Sequence, residues 1–162
     1  MIDYGPEDLA ERTQDHLNKY ISAADNKASI LLTALFAFLG FSATLINDIL
    51  NGTSSLFNLF ASLGAISGLI AAFFAGLVVY PRTPKPENGF IYWENILEHG
   101  ERDDFVDAVE KLDGDSALTE LSKENYDLAK VAHQKYCYLR WSLRVTLLMA
   151  LFAVLATSIY VT

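Results

Sequence analysis

Between Lys27 and Arg82 the chain carries no basic residue. It has four prolines, and three of them stand together at Pro81, Pro84 and Pro86. It has one cysteine, Cys137, which excludes an internal disulfide and leaves either a palmitoylation acceptor or a passive side chain. The three histidines, His16, His99 and His133, lack ligand spacing to cysteine or carboxylates, so no metal site is expected. Nucleophile elbow, Walker loop, Gly-rich dinucleotide turn and metalloprotease signature are all missing. Asp103-Asp104 reads as a helix N-terminus rather than an acid/base pair. No catalytic residue is expected, and the chain is read as not an enzyme. Strand-like alternation and internal repeats are also lacking.

Apolar residues, by contrast, are gathered into long runs. Ile30–Ile46 and Leu56–Tyr80 hold no charge, and Leu143–Val161 holds only Arg144. Each reaches roughly the 17–25 residues that cross a bilayer as a helix. Mean hydropathy is only +0.23 because these runs alternate with acidic segments. Pro6 suits a helix start and Glu7, Asp8 and Glu11 favour that end, so Pro6 to about Ile46 reads as one helix. At ~1.5 Å per residue it would be roughly 60 Å long, about twice the hydrocarbon thickness. The expected class is an all-α membrane protein with three transmembrane helices, the long first and last extending into a small cytoplasmic helical bundle. The divisions are 1–28, the aqueous part of helix one; 29–80, a hairpin of spans 30–46 and 56–80 joined by the turn Asn51-Gly52-Thr53; 81–140, a helical segment; and 141–162, the third span. Within 81–140, helices are expected at 90–97 and 103–112, with Glu98–Arg102 as a supporting pair. The last helix should run from about Ala117 to Val161, capped by Asp115 or Ser116.

All twelve Lys and Arg fall on one side of these spans, which places the N-terminus and 81–140 in the cytoplasm and the C-terminus outside. No cleavable leader is expected ahead of the first run. The formal net charge is −8, and 81–140 alone has eight basic and thirteen acidic residues. That excludes a nucleic-acid polymer and a broad polybasic lipid patch. The lipid bilayer is the first partner expected.

Three groups of residues are functional candidates. Asp25 and Lys27 reach the depth of Arg140 and Arg144, so Asp25 is expected to pair with Arg140 or Arg144 as a releasable junction, against plain snorkelling of Arg144. Gly64, Gly68, Ala72 and Gly76, four apart, form a small-residue face for packing within one protomer or for a homo-oligomer. Arg82, Lys85, Arg102 and Arg140, with Tyr92, Trp93, Tyr126 or Tyr136 as flat surfaces, could take an anion with a planar base. Core packing or membrane-interface anchoring is the plainer role for Tyr92 and Trp93.

Ala24-Asp-Asn-Lys-Ala-Ser29, at the mouth of span one, resembles the AD-x-KAS junction of the transmembrane Pycsar effectors. Three further pieces resemble that family in the same order: Tyr80-Pro81-Arg82, Phe90-Ile-Tyr-Trp-Glu-Asn-Ile-Leu97, and Ala129-Lys with Lys135-Tyr and Leu139-Arg140-Trp. The likeness covers about Leu17 to the end and carries over Asp25, Lys27, Arg82 and Arg140. It implies an antiphage role at the inner membrane. A separate pyrimidine nucleotide cyclase makes cCMP or cUMP on infection, and the effector responds to that activating ligand, with no other cofactor. The membrane is then impaired and the infected cell stops growing. The alternative is a structural or scaffolding subunit of a membrane complex that needs no ligand.

Overall fold

The computed structural model describes residues 5–44, 46, 54–81 and 89–161, the side chain of Trp93 excepted. The described elements are five α-helices: α1 (Pro6–Thr44), α2 (Ser55–Val79), α3 (Trp93–Glu98), α4 (Arg102–Glu110) and α5 (Gly114–Val161). Three of them, α1, α2 and α5, are long and apolar enough to cross a membrane. The first loop, with Asn51-Gly52-Thr53, and the segment holding Arg82 and Lys85 lie outside the described residues.

Local chemistry sets the helix ends. Pro6 opens α1, where its missing N–H is no loss, and Leu9 N–H bonds the Gly5 carbonyl at 3.1 Å. Ser54 caps α2, its hydroxyl accepting from Phe57 N–H at 3.3 Å. At the other end Tyr80 precedes Pro81 and turns extended, with ψ 127°, because the pyrrolidine ring disfavours the helical region for its predecessor.

Two expectations in the polar segment are corrected. Glu98 and Arg102 do not share a helix: Glu98 closes α3, Arg102 opens α4, and Gly100 between them has φ 86°, a left-handed position suited to glycine. The cap of α5 is Asp113, whose carboxylate accepts from Ser116 N–H at 2.7 Å, rather than Asp115 or Ser116. The Asp113 pKa is lowered by hydrogen bonds from the Ser116 side chain and backbone.

The chain divides into two compact units: Met1–Ser22 with Pro81–His133, and Ala23–Tyr80 with Gln134–Thr162. In the first, the polar unit, Asn125 donates its Nδ2 to the Ala10 carbonyl at 2.8 Å, tying α5 to α1. Phe90, His99 and Phe105 form an aromatic trio with ring centroids 5.2–6.4 Å apart.

In the second, the spanning unit, α2 runs antiparallel to both α1 and α5. One cluster joins Ala24 and Ala28 of α1, Val78 of α2 and Leu139 of α5. A second joins Leu35, Ala71, Ala72 and Met149. Towards the far end Phe60 lies against Phe152, and Phe57 against Tyr160. Between the two clusters the Ser142 hydroxyl, fully buried, donates to the Ala71 carbonyl at 2.8 Å.

Small residues explain this close packing. A Cβ on Gly68 would come 3.0 Å from Leu39 Cδ2 and 3.1 Å from Met149 Sδ, so both neighbouring helices lean on that position. A Cβ on Gly64 would meet Phe152 and the α5 backbone at 3.6–3.9 Å. Ala72 is buried in the second cluster. Three of the four small residues thus serve packing within one protomer, and only at Gly76 would a Cβ find open space. Without a hydrophobic drive between helices in lipid, such close approach is what holds them.

Candidate functional site: a charged clamp joining three spanning helices

Lys135 lies on the buried face of α5. Lys135, Leu139, Ser142 and Met149 recur at spacings of four, three and seven, one side of a helix, and all four are buried. A lysine on that side must find partners, because an unpaired ammonium in apolar surroundings costs several kcal/mol. Its Nζ sits 2.6 Å from Asp25 Oδ1 on α1. It also donates to the Val78 carbonyl of α2. The lysine side chain is 5% exposed and that of Asp25 37%.

Val78 is next to last in α2, so its carbonyl is among those with no partner inside the helix. The negative end of the helix dipole lies there as well. One ammonium therefore satisfies a helix C-terminus and a carboxylate together, and ties α1, α2 and α5 at one level. The same level carries Ala24, Ala28 and Leu139, with Tyr136 and Tyr138 packed against them.

This replaces the expected Asp25 partners. Arg140 and Arg144 stand one and five residues beyond Leu139, off the face that packs on α1 and α2. Arg140 is exposed and its Nε donates to the Tyr136 carbonyl of its own helix at 3.3 Å. Arg144 lies 5.3 Å over the Trp141 ring, which itself stacks near Phe74. Lys27 is exposed. A cue was present in the sequence. Lys135 interrupts an apolar stripe, and a charge at a stripe position asks for a buried counter-charge.

The expected anion-site residues are divided. Tyr92 and Tyr126 both line a cavity of about 870 Å³ in the polar unit, with Phe90 and the α5 residues Glu120, Lys123, Glu124 and Asp127. Arg102, exposed on α4, does not line it. Arg140 and Tyr136 belong to the spanning unit. Arg82, Lys85 and the Trp93 side chain lie outside the described residues. The cavity lining is acidic on balance, and its lysine pairs with Glu120 at 2.7 Å. Glu124 has a raised pKa, from burial first and the neighbouring Asp127 charge second. Among the described residues no group of three or more His, Cys, Asp or Glu could hold a metal ion.

The chain matches the family model described as the Pycsar effector protein domain over residues 9–162. It belongs to the transmembrane Pycsar effectors. It is also 36% identical over 128 residues to the Pycsar effector protein SaPycTM of Staphylococcus aureus, covering 78% of each chain. No solved structure matches it. As a Pycsar effector it is a membrane protein of antiphage defence, and Asp25 and Lys135 both fall within the matched residues.

Proposed function

We propose that this Pycsar effector binds a cyclic pyrimidine mononucleotide, cCMP or cUMP, in its polar unit, on the cytoplasmic side, and then impairs the inner membrane. The nucleotide is the product of a partner cyclase, and growth of the infected cell stops. The observation that carries the reading is the Lys135–Asp25–Val78 clamp. It is a charged joint among three spanning helices, held together by two polar contacts from one ammonium. A ligand can shift an equilibrium only by preferring one arrangement. Opening the clamp exposes a charge and a helix terminus to apolar surroundings, so the closed and open arrangements are discrete. A ligand that favours the open one would loosen the spans as a set. The spans would then rearrange, as one protomer or a homo-oligomer.

Reconstitution in dye-loaded liposomes tests this. Dye release on adding cCMP or cUMP, and not cAMP or cGMP, is expected. Silence with all four, from folded protein, would return the chain to the reading of a structural subunit.

A further inference from the structure

The most exacting polar group in the polar unit is Asn95. It is 3% exposed, and neither its Nδ2 nor its Oδ1 has a hydrogen-bond partner among the described residues. Leaving a buried donor and acceptor both unmade costs more than most substitutions would. An apolar residue of similar size would remove that cost, so packing does not explain an amide there. The side chain borders a cavity of about 270 Å³ lined by Gly89, Phe90, Glu98 and His99. Gly89 and Phe90 also line the larger cavity of about 870 Å³. Phe90 belongs to the aromatic trio, with the His99 ring stacked on it at 5.2 Å.

We propose that Asn95 and Phe90 form a recognition site for one planar heteroaromatic ring carrying a hydrogen-bond donor beside an acceptor, as a pyrimidine base does. The amide supplies one donor and one acceptor side by side, and turning it over exchanges them. It can therefore match the edge of cytosine or of uracil. The volume lies just under the usual range of small-molecule pockets, which suits one ring rather than a whole nucleotide. Among the described residues its lining carries Glu98 and no lysine or arginine, which favours the neutral base over the phosphate. Gly89 keeps the wall open: a Cβ there would come 3.3 Å from Asn95 Nδ2 and 3.4 Å from Glu120 Oε2.

This inference rests on the cyclic-nucleotide reading above and assigns its base end. The test is calorimetric titration of the full chain in detergent with cCMP and cUMP, for wild type, Asn95→Leu and Gly89→Ala. Thermal melting of each ligand-free protein is measured alongside. Binding by wild type, lost about tenfold or more in Asn95→Leu while its ligand-free Tm stays level or rises, is the expected result. A purely structural asparagine would instead lower the Tm and leave affinity unchanged, which overturns the assignment while sparing the cyclic-nucleotide reading. Should Asn95→Leu fail to fold, Gly89→Ala decides. Its added methyl crowds the amide without altering its chemistry, so affinity must fall severalfold, and affinity equal to wild type overturns the site. No binding by folded wild type overturns both readings.

Discussion

Lys135 Nζ and Asp25 Oδ1 lie 2.6 Å apart, although 110 residues of chain separate them. The pair closes the spanning unit at the end where α2 terminates, and the Val78 carbonyl shares the ammonium. Breaking a buried pair from one side leaves the other charge uncompensated, at about 3–5 kcal/mol. The 37% exposure of Asp25 lets solvent offset part of that. Lys135→Ala is therefore expected to cost about 2–3 kcal/mol in detergent unfolding, and Asp25→Asn less, because the lysine keeps the Val78 carbonyl. A double-mutant cycle should give a coupling of about 1 kcal/mol or more. Additive effects would remove the pair from the stability of the bundle.

Ser142 offers a second, neutral link between α5 and α2. Its hydroxyl has no exposure and donates to a backbone carbonyl. Interhelical hydrogen bonds in membranes average only about 0.6 kcal/mol. Ser142→Ala should accordingly cost about 0.5–1 kcal/mol, and Ser142→Val more, since a larger side chain has no room there. Equal Tm values for Ser142→Ala and Ser142→Val would contradict the packing.

The glycine face separates into positions that matter within the protomer and one that does not. Gly68→Leu drives carbon into Leu39 and Met149, an overpacking expected to cost about 1–3 kcal/mol. At Gly76 a Cβ meets nothing within 4 Å, so Gly76→Ala should hold or raise the Tm through its better helix propensity. Gly68→Leu melting like wild type would mean that the spans do not meet as described.

Much of this architecture is legible in the residues themselves. Two uncharged runs, a third with the single charge of Arg144, an opening proline and a cluster of prolines after Tyr80 are enough for three spans and their approximate ends. The clamp was half legible. Asp25 stands out because it is a charge beside an apolar run, but depth alone does not choose among Lys135, Arg140 and Arg144. Helical phase does: Lys135 falls in the apolar stripe with Ala132 and Leu139, and the burial of Leu139, Ser142 and Met149 shows that this face turns inward. Asn95 lies inside the segment Phe90–Leu97 that resembles the family, but nothing in the sequence singles it out from its neighbours. A single asparagine in an amphipathic segment looks like a surface residue until its surroundings are seen to close over it. The cap of α5 is Asp113 rather than Asp115 or Ser116, two and three residues further on, because all three have capping side chains and the sequence does not choose among them.

Glu124 provides a test in the polar unit that turns on pH. Its folded pKa is raised above 4.5, chiefly by burial and secondarily by Asp127. The folded protein therefore holds this proton more tightly than the unfolded chain does. Below the unfolded pKa both states are protonated and the residue costs nothing. As pH rises from 4.5 through the folded value, stability is lost, and above that value the loss is constant. Glu124→Gln should therefore melt with wild type near pH 4 and above it at pH 7. Because desolvation leads and salt screens only the Asp127 part, most of that difference should persist in high salt. A Tm difference independent of pH, or one with the variant less stable at pH 7, would show that the Glu124 carboxylate is not strained by its surroundings.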